Sequence, residues 1–446
     1  MPDNVVLLSI PGLRGQDLQH MPSLRKLTDG GDRAALAGSF PAVTLPVQAN
    51  MTTGLPPSEH GVVANGYFWR DSSEVEMWTA WNDKIQRPQL WDLLHQHDPA
   101  ITSAVWFPMF AKGCGADYVC LPAPIHNPDG SESLWCYTKP QMLYGDLRDA
   151  HGHFPLQNFW GPLASVASSR WIVDSAVWTA ANHQPNFFYL YLPHLDYAAQ
   201  KHGPDSPEAI AACTELDAQI ARLVAGFNAA YQADPLWLVA SEYVITPVER
   251  VVYPNRLLRE AGLLDVANDS DGRELIDFAG TPTWALVDHQ IAHVFIKDRN
   301  ADTIAQAAAA LRDTPGIAET LIGDQRGKYD LIHERSGDIV LVADPDAWFA
   351  YYYWQDDALA PAFARTVDIH RKPGYDPVEM YLDPAAMQAG LGPTPLDATL
   401  VKGSHGAPTV TDAQRGVILS SQRGVFVERA MADTDVADLV LRQFGV

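Results

Sequence analysis

The chain has 446 residues, 47% of them hydrophobic and 19% charged, which is typical of a globular protein and excludes an intrinsically disordered one. Its 54 acidic residues outnumber the 31 Lys and Arg, and the formal net charge of −23 argues against nucleic acid polymers and anionic membranes as partners. The four cysteines form no C-x-x-C pair, and no apolar stretch reaches the roughly 18 residues of a membrane span. We therefore predict a soluble, cytoplasmic protein.

Predicted strands and helices alternate along the first half of the chain. Residues 5–10 are a continuous apolar run typical of a buried strand, which Pro11 ends. The next predicted elements are a helix at 21–28, a helix at 89–95, a strand at 101–106, a helix at 171–181, a strand at 186–192, a helix at 207–229 and a strand at 236–240. This alternation predicts an α/β fold with a doubly wound, mostly parallel sheet. Ligands bind beyond the carboxyl ends of such strands, where Pro11, Asp196 and Glu242 lie.

After residue 245 the pattern changes to Pro/Gly turns, an alanine-rich helix and short strands such as 292–296 and 338–343. We predict three parts: an α/β core over residues 1–245, an inserted cap that also completes the core over 246–399, and a C-terminal return to the core over 400–446. The aromatic run at 348–354 belongs to the core of the cap or forms a stacking wall for a flat ligand.

The segment around Thr44 carries the strongest chemical signal. An apolar stretch ends at Thr44, Pro46 falls in the first turn of the helix that follows, and Gly54 ends that helix. Two interpretations stay open for Thr44. It is either a structural helix N-cap, or a nucleophile whose phosphate meets unpaired backbone N–H groups at the helix N-terminus.

The motifs around this segment carry a resemblance to a known family. Phe40-Pro41-Ala42-Val43-Thr44 is followed by Thr53-Gly54 and by Glu59-His60-Gly61-Val62-Val63-Ala64-Asn65. In order and spacing these runs resemble the type I phosphodiesterase/nucleotide pyrophosphatase family of the alkaline phosphatase superfamily. The resemblance implies an alkaline-phosphatase-like fold, Thr44 as the catalytic nucleophile, and Asn65 as a substrate-binding residue that holds a phosphate oxygen.

Further matches extend the resemblance over nearly the whole chain. They are Leu192-Pro193-His194-Leu195-Asp196, Gly203-Pro204, Ser241-Glu242-Tyr243 and Gly403-Ser404-His405-Gly406. Together with Ile369-His370-Arg371-Lys372-Pro373-Gly374-Tyr375-Asp376, they make the sequence most similar to a bacterial branch of the family that carries the same runs.

The implied metal ligands are where the sequence departs from the family. The family binds two zinc ions, but the expected Asp falls on Pro11, the expected Asp-His pair on Glu242-Tyr243, and an expected His on Gln200. Tyr and Gln are poor zinc ligands, and a proline side chain cannot ligate at all. We therefore expect no standard two-zinc site, and at most one divalent metal, preferably zinc, held by Asp196, Glu242 and His405.

Other histidines stay open as further members of the site, namely His194, His289, His293 and His370. The spacing of His289 and His293 suits a metal on a helix face. Residues 291–296 read as a strand, however, and no further ligands can be placed, so we interpret the pair as structural.

These features predict a phosphodiester or pyrophosphate hydrolase that acts on a small phosphoester through Thr44, with a reduced metal site. The helix N-terminus or a histidine base such as His405 would then take over part of the metal's task. Two alternatives stay open: a non-catalytic metabolite-binding or accessory protein on the same fold, and metal-independent group transfer through Thr44.

Overall fold

The computed structural model describes residues 4–127 and 132–446, whose dominant element is a nine-stranded sheet. In sheet order its strands are Ala430–Ala432, Arg33–Ala37, Gly416–Ser420, Leu236–Ala240, Val5–Ser9, Phe187–Tyr191, Ser103–Trp106, Tyr118–Pro122 and Cys136–Lys139. Gly416–Ser420 and Cys136–Lys139 run antiparallel to their neighbours, and the other neighbours pair in parallel. The predicted α/β fold with a mostly parallel sheet is confirmed.

The central strands are buried on both faces because their sequences are almost entirely apolar. Val5–Ser9 lies between Phe187–Tyr191 and Leu236–Ala240, and every residue of the three strands is buried. Successive side chains point to opposite faces, so Val6 belongs to the core on one side and Leu7 to the core on the other. Both faces are covered, as expected of a doubly wound sheet.

The α-helices are Pro22–Thr28, Thr44–Thr53, Pro57–His60, Leu90–His97, Leu143–His151, Val166–His183, His194–His202, Pro207–Ala230, Pro254–Glu260, Ala301–Leu311, Pro384–Gln388 and Asp435–Gln443. Helices Val166–His183 and Pro207–Ala230 pack on one face of the central sheet through residues such as Ile172 and Leu216. Helix Asp435–Gln443 packs on the other face through Val436 and Val440.

A second, four-stranded antiparallel sheet follows later in the chain. Its strands in sheet order are Thr283–Asp288, Ile291–Ile296, Ile339–Ala343 and Ile317–Ile322. Strand pairs outside the two sheets are Gly66–Trp69 with Glu74–Met77, Ile125–His126 with Glu132–Ser133, Thr246–Pro247 with Gly403–Ser404, Arg250–Val252 with Ala347–Phe349, and Val266–Asn268 with Glu274–Ile276. The second sheet lies within the predicted cap, whose boundaries at residues 245 and 399 stay a prediction.

The aromatic run at 348–354 packs in the core beneath the second sheet, where every one of its residues is buried. The core interpretation of this run is therefore correct. All four cysteines are buried and free. Within the described ranges, no helix has the length and apolar character that are needed to cross a membrane.

Candidate active site

Thr44 is the first residue of the helix Thr44–Thr53, and Val43 occupies the N-cap position without a side-chain cap. The Thr44 hydroxyl instead lies 3.2 Å from the hydroxyl of Tyr243. The N-cap interpretation of Thr44 is therefore wrong, because the capping acceptor comes from elsewhere. Asn65 Oδ1 accepts a hydrogen bond from the Leu45 N–H at 2.8 Å and satisfies one of the donors that a helix N-terminus leaves unpaired.

Asn65 also joins this helix to the second sheet. Its Nδ2 donates to Asp288 Oδ1 at 3.0 Å, and its backbone N–H donates to Asp288 Oδ2 at 2.8 Å. Because the Leu45 N–H requires an acceptor, the amide of Asn65 has only one orientation that satisfies both neighbours. Asn65 thus connects Leu45, the neighbour of Thr44, with Asp288, and its predicted contact with a phosphate oxygen stays a prediction.

A cavity of about 70 Å³ opens beside Thr44 and Asp196. Its other lining residues are mostly aromatic: Trp78, Met109, Phe159, Trp160, Tyr191, Tyr197, His289, Ile369 and Tyr375. Asp196 is the only acidic residue in this lining, which contains no Lys or Arg. A larger cavity of about 1040 Å³ shares Trp78 with this one and touches none of the five predicted site residues.

Asp196 is held by the residue that replaces the expected zinc-binding histidine. Gln200 Nε2 donates to Asp196 Oδ2 at 3.0 Å, and Gln200 Oε1 accepts from the Tyr375 hydroxyl at 2.6 Å. Burial raises the pKa of Asp196 to about 7, although Gln200 and the Tyr243 hydroxyl oppose the shift. Both polar atoms of Gln200 are therefore committed to protein partners.

Glu242 is bound by side chains of the first strand and of the helix that Thr44 begins. Its Oε1 accepts hydrogen bonds from Ser9 Oγ at 2.7 Å and from Gln48 Nε2 at 2.9 Å. Burial raises the pKa of Glu242 to about 8, and these two donors offset part of the shift. Ser9 ends one strand of the central sheet and Glu242 follows the adjacent strand, so Glu242 lies at the carboxyl end of the sheet, as the rule for parallel strands predicts.

Four rings follow one another in contact, and we call Tyr243, His405, His289 and Tyr375 the ring column. Its outer pairs are stacked, whereas the planes of His405 and His289 are tilted by 43°. Ring centroids are 3.6 Å apart for Tyr243 and His405, 3.9 Å for His405 and His289, and 3.6 Å for His289 and Tyr375. His405 Nδ1 donates to the Ala42 carbonyl at 2.8 Å. Burial lowers the pKa of both histidines well below the usual value, so each ring is neutral.

The three predicted metal ligands each carry one buried atom without a hydrogen-bond partner: Asp196 Oδ1, Glu242 Oε2 and His405 Nε2. Across residues 4–127 and 132–446, however, no three His, Cys, Asp or Glu side chains are close enough together to hold a metal ion. The three residues are therefore not gathered into one ligand group, and their role as metal ligands stays a prediction. The residues at the family's zinc positions do not fit a two-zinc centre either, because Pro11 has no donor and Gln200 is fully bonded.

Of the four histidines left open by the sequence, only His289 lines the cavity beside Thr44. The others have partners elsewhere: His194 binds Glu215, His293 binds the Val63 carbonyl, and His370 binds the Met77 carbonyl. The sequence favoured a structural role for His289 and left its membership of the site open. The sequence pattern that points to His289 is the pair Asp288-His289, which stands immediately before a predicted strand. A turn at that place presents side chains at the end of a sheet.

The sequence was compared with known families and proteins. The profile of the type I phosphodiesterase / nucleotide pyrophosphatase family matches residues 5–376. An uncharacterized pyrophosphatase/phosphodiesterase of Schizosaccharomyces pombe is 24% identical over 233 residues, which cover 50% of this chain. The matched part of the chain spans 41% of the length of that relative.

Solved structures with the same architecture cover nearly the whole chain. Phosphonoacetate hydrolase from Sinorhizobium meliloti 1021, in complex with phosphonoacetate, has a TM-score of 0.64 at 17% identity and covers 99% of this chain and 96% of its own. Human ectonucleotide pyrophosphatase / phosphodiesterase 5 has a TM-score of 0.63 at 16% identity, with 99% and 95% covered. These similarities confirm the predicted alkaline-phosphatase-like fold.

Proposed function

Because the chain belongs to the type I phosphodiesterase / nucleotide pyrophosphatase family, we propose that it hydrolyses a small phosphodiester or pyrophosphate with Thr44 as the nucleophile. The Thr44 hydroxyl attacks phosphorus, the ester oxygen leaves, and water then cleaves the phosphothreonine. Tyr243 lies beside the attacking oxygen as a hydrogen-bond partner.

The observation that carries this proposal is that the Thr44 hydroxyl has no capping role and faces the cavity. A threonine that begins a helix is usually explained by capping, but Thr44 caps nothing and lines the cavity. Its own backbone N–H has no hydrogen-bond partner among the described residues. This N–H and the positive end of the ten-residue helix favour a phosphate oxygen at the same place.

The lining of the cavity favours a singly charged diester over a dianionic monoester. Every charge moved out of water needs a compensating group, and this lining offers the Asp196 carboxyl but no Lys or Arg. The aromatic walls suit an apolar or flat ester group. A volume of about 70 Å³ accommodates little more than the phosphoryl group, so the rest of the substrate lies towards the opening.

One observation favours the alternative of a non-catalytic binding protein: the family's zinc positions hold Pro11, Gln200 and Tyr243, and two of these are bonded into the protein. The retained Thr44 opposes it, since a protein that only binds gains nothing from a hydroxyl nucleophile at a helix N-terminus.

The test is hydrolysis of bis(4-nitrophenyl) phosphate by wild type, Thr44→Ser and Thr44→Ala, each assayed in EDTA and with added zinc. We expect wild type and Thr44→Ser to release 4-nitrophenolate and Thr44→Ala to release none. Thr53→Ala, in the last turn of the same helix, is the matched control and keeps the activity. Activity that requires zinc would support Asp196, Glu242 and His405 as ligands. If wild type cleaves no diester, pyrophosphate or monoester in either condition, the hydrolase proposal fails and the binding-protein alternative replaces it.

A further inference from the structure

His289 occupies an unusual backbone position for its residue type. It is the first residue of the two-residue turn between strands Thr283–Asp288 and Ile291–Ile296, and its φ is +59°. Turns of this kind favour Gly, Asn or Asp, because a side chain at positive φ meets the backbone. A strained histidine at a cavity wall is the kind of outlier from which a functional hypothesis starts.

The contacts of His289 fix which of its nitrogens carries the hydrogen. His289 Nδ1 lies 2.6 Å from Asp288 Oδ1, and a carboxylate accepts, so Nδ1 is the donor. The neutral ring then carries its lone pair on Nε2. Nε2 makes no hydrogen bond within the part of the chain that the structure describes, and His289 lines the cavity that contains Thr44.

Asp288 is held firmly enough to orient the ring. Its carboxylate accepts two further hydrogen bonds, from the backbone N–H and the Nδ2 of Asn65. Stacking on Tyr375, with planes 15° apart, and contact with His405 fix the plane of the His289 ring. Asn65 in turn binds the Leu45 N–H, so the turn with His289 and the helix with Thr44 share one hydrogen-bonded frame.

We propose that His289 is the general base for Thr44 and that Asp288 is the positioning residue that orients it. This inference deepens the proposed function and rests on Thr44 being a nucleophile. A nucleophile, a base and a carboxylate that orients the base form the arrangement by which a weakly nucleophilic hydroxyl is activated without a metal ion. The structure thereby replaces the base predicted from sequence, since His405 does not line the cavity and His289 does.

The chemical step balances with these groups and solvent water. The Thr44 O–H proton passes to His289 Nε2 as the Thr44 oxygen forms its bond to phosphorus, and the bond from phosphorus to the leaving oxygen breaks. His289 keeps this proton, and the leaving oxygen, on the opposite side of phosphorus from Thr44, takes a proton from solvent water. In the second half a water attacks phosphorus from that opposite side and gives its proton to solvent, and His289 returns its proton to Thr44 as the bond from Thr44 to phosphorus breaks.

The test uses an alkyl fluorophosphonate, which reports activation of Thr44 without knowledge of the substrate. Thr44 oxygen displaces fluoride, and intact mass and peptide mapping detect the adduct. In EDTA we expect wild type to be labelled at Thr44 and Thr44→Ala not at all. In His289→Asn, which tolerates positive φ, the labelling rate falls by about 10²- to 10⁴-fold. Added imidazole restores part of the rate in His289→Ala but none in Thr44→Ala.

Asp288→Asn separates positioning from support of the fold. We expect the maximal labelling rate to fall at least about tenfold while the reversible affinity for the probe and the melting temperature stay within narrow limits. His293→Gln is the matched control in the same hairpin; any loss it causes appears in the melting temperature and not in the labelling rate. Labelling of folded His289→Asn at the wild-type rate, or labelling of wild type only with zinc, overturns the inference. Labelling that depends on His289 without hydrolysis of any phosphoester keeps the inference and rejects the proposed function.

Discussion

Tyr243 and His405 lie face to face, with ring centroids 3.6 Å apart and planes 3° from parallel. The contact places the Tyr243 hydroxyl 3.2 Å from Thr44 Oγ1. The residue that stands where the family has a zinc-binding histidine therefore touches the proposed nucleophile directly. A substitution that removes only the Tyr243 hydroxyl separates the hydrogen bond from the stacking contact.

Tyr243→Phe keeps the stack and deletes the hydroxyl. We expect kcat for diester hydrolysis to fall on the order of 100-fold, because the oxygen of Thr44 loses a hydrogen-bond partner where charge develops. The KM and the melting temperature change little. Stopped-flow measurement of 4-nitrophenolate release checks this, with Tyr191→Phe as the control among the lining residues. An unchanged kcat would remove Tyr243 from the reaction.

Gln200→His restores one histidine of the family's second zinc set beside Asp196 and His405. Each of these two residues already has a buried atom without a partner, so an added imidazole gives a third donor. We expect the variant to bind about one zinc per chain at least tenfold more tightly than wild type does, by calorimetry and elemental analysis. Gln200→Asn is the control. Equal zinc binding by the three proteins would show that the site is too distorted to regain a metal.

Trp160→Ala removes a wall of the cavity beside Thr44. The indole Nε1 donates to Glu379 Oε2 at 2.7 Å, which holds the ring in place. We expect the ratio of kcat/KM between bulky and small aromatic diesters to rise about tenfold, because space opens next to the phosphoryl group. Trp160→Phe keeps a ring but loses the hydrogen bond, and we expect its kcat/KM ratio to lie between those of wild type and Trp160→Ala. A ratio unchanged in both variants would show that the substrate enters elsewhere.

Because His60 is buried, we expect the folded protein to lose stability as the pH falls. His60 Nε2 lies 2.7 Å from Asn50 Oδ1, and burial lowers the pKa of His60 to about 3. The unfolded chain takes up a proton below pH 6.5, whereas the folded chain does not until about pH 3, so stability falls as pH falls between these values.

The contribution of His60 to this slope is about 1.4 kcal/mol per pH unit. Urea unfolding at pH 7.5, 6.0 and 5.0 should therefore show a shallower loss for His60→Gln than for wild type. His97→Gln, on an exposed residue, serves as the reference. Parallel slopes for wild type and His60→Gln would contradict the assignment.

Local patterns of apolar residues in the sequence predicted much of the fold. The predicted strand at 236–240 matches Leu236–Ala240, and the predicted helix at 207–229 matches Pro207–Ala230, because apolar periodicity along the chain reflects burial directly. The predicted and observed ends of helices differ by a few residues where a helix begins before the apolar pattern does. An example is the helix Val166–His183, which was predicted at 171–181.

The site was harder to predict because its contacts connect distant residues. Thr44 looked like an N-cap since a local pattern cannot show that Asn65 supplies the capping oxygen. A local pattern is equally silent about His289. Its proposed role depends on a cavity that it lines together with Thr44, although the two residues are far apart in the sequence.

The hairpin turn of the second sheet also bonds to the C-terminal part of the chain. Gln290, next to His289, donates its backbone N–H to the His405 carbonyl at 3.1 Å, and its Oε1 accepts from the Ala407 N–H at 3.2 Å. A chimera that exchanges residues 246–399 for those of a relative would therefore replace His289 and Gln290 as well. Such a chimera would have to keep a turn whose residues can still bond to His405 and Ala407.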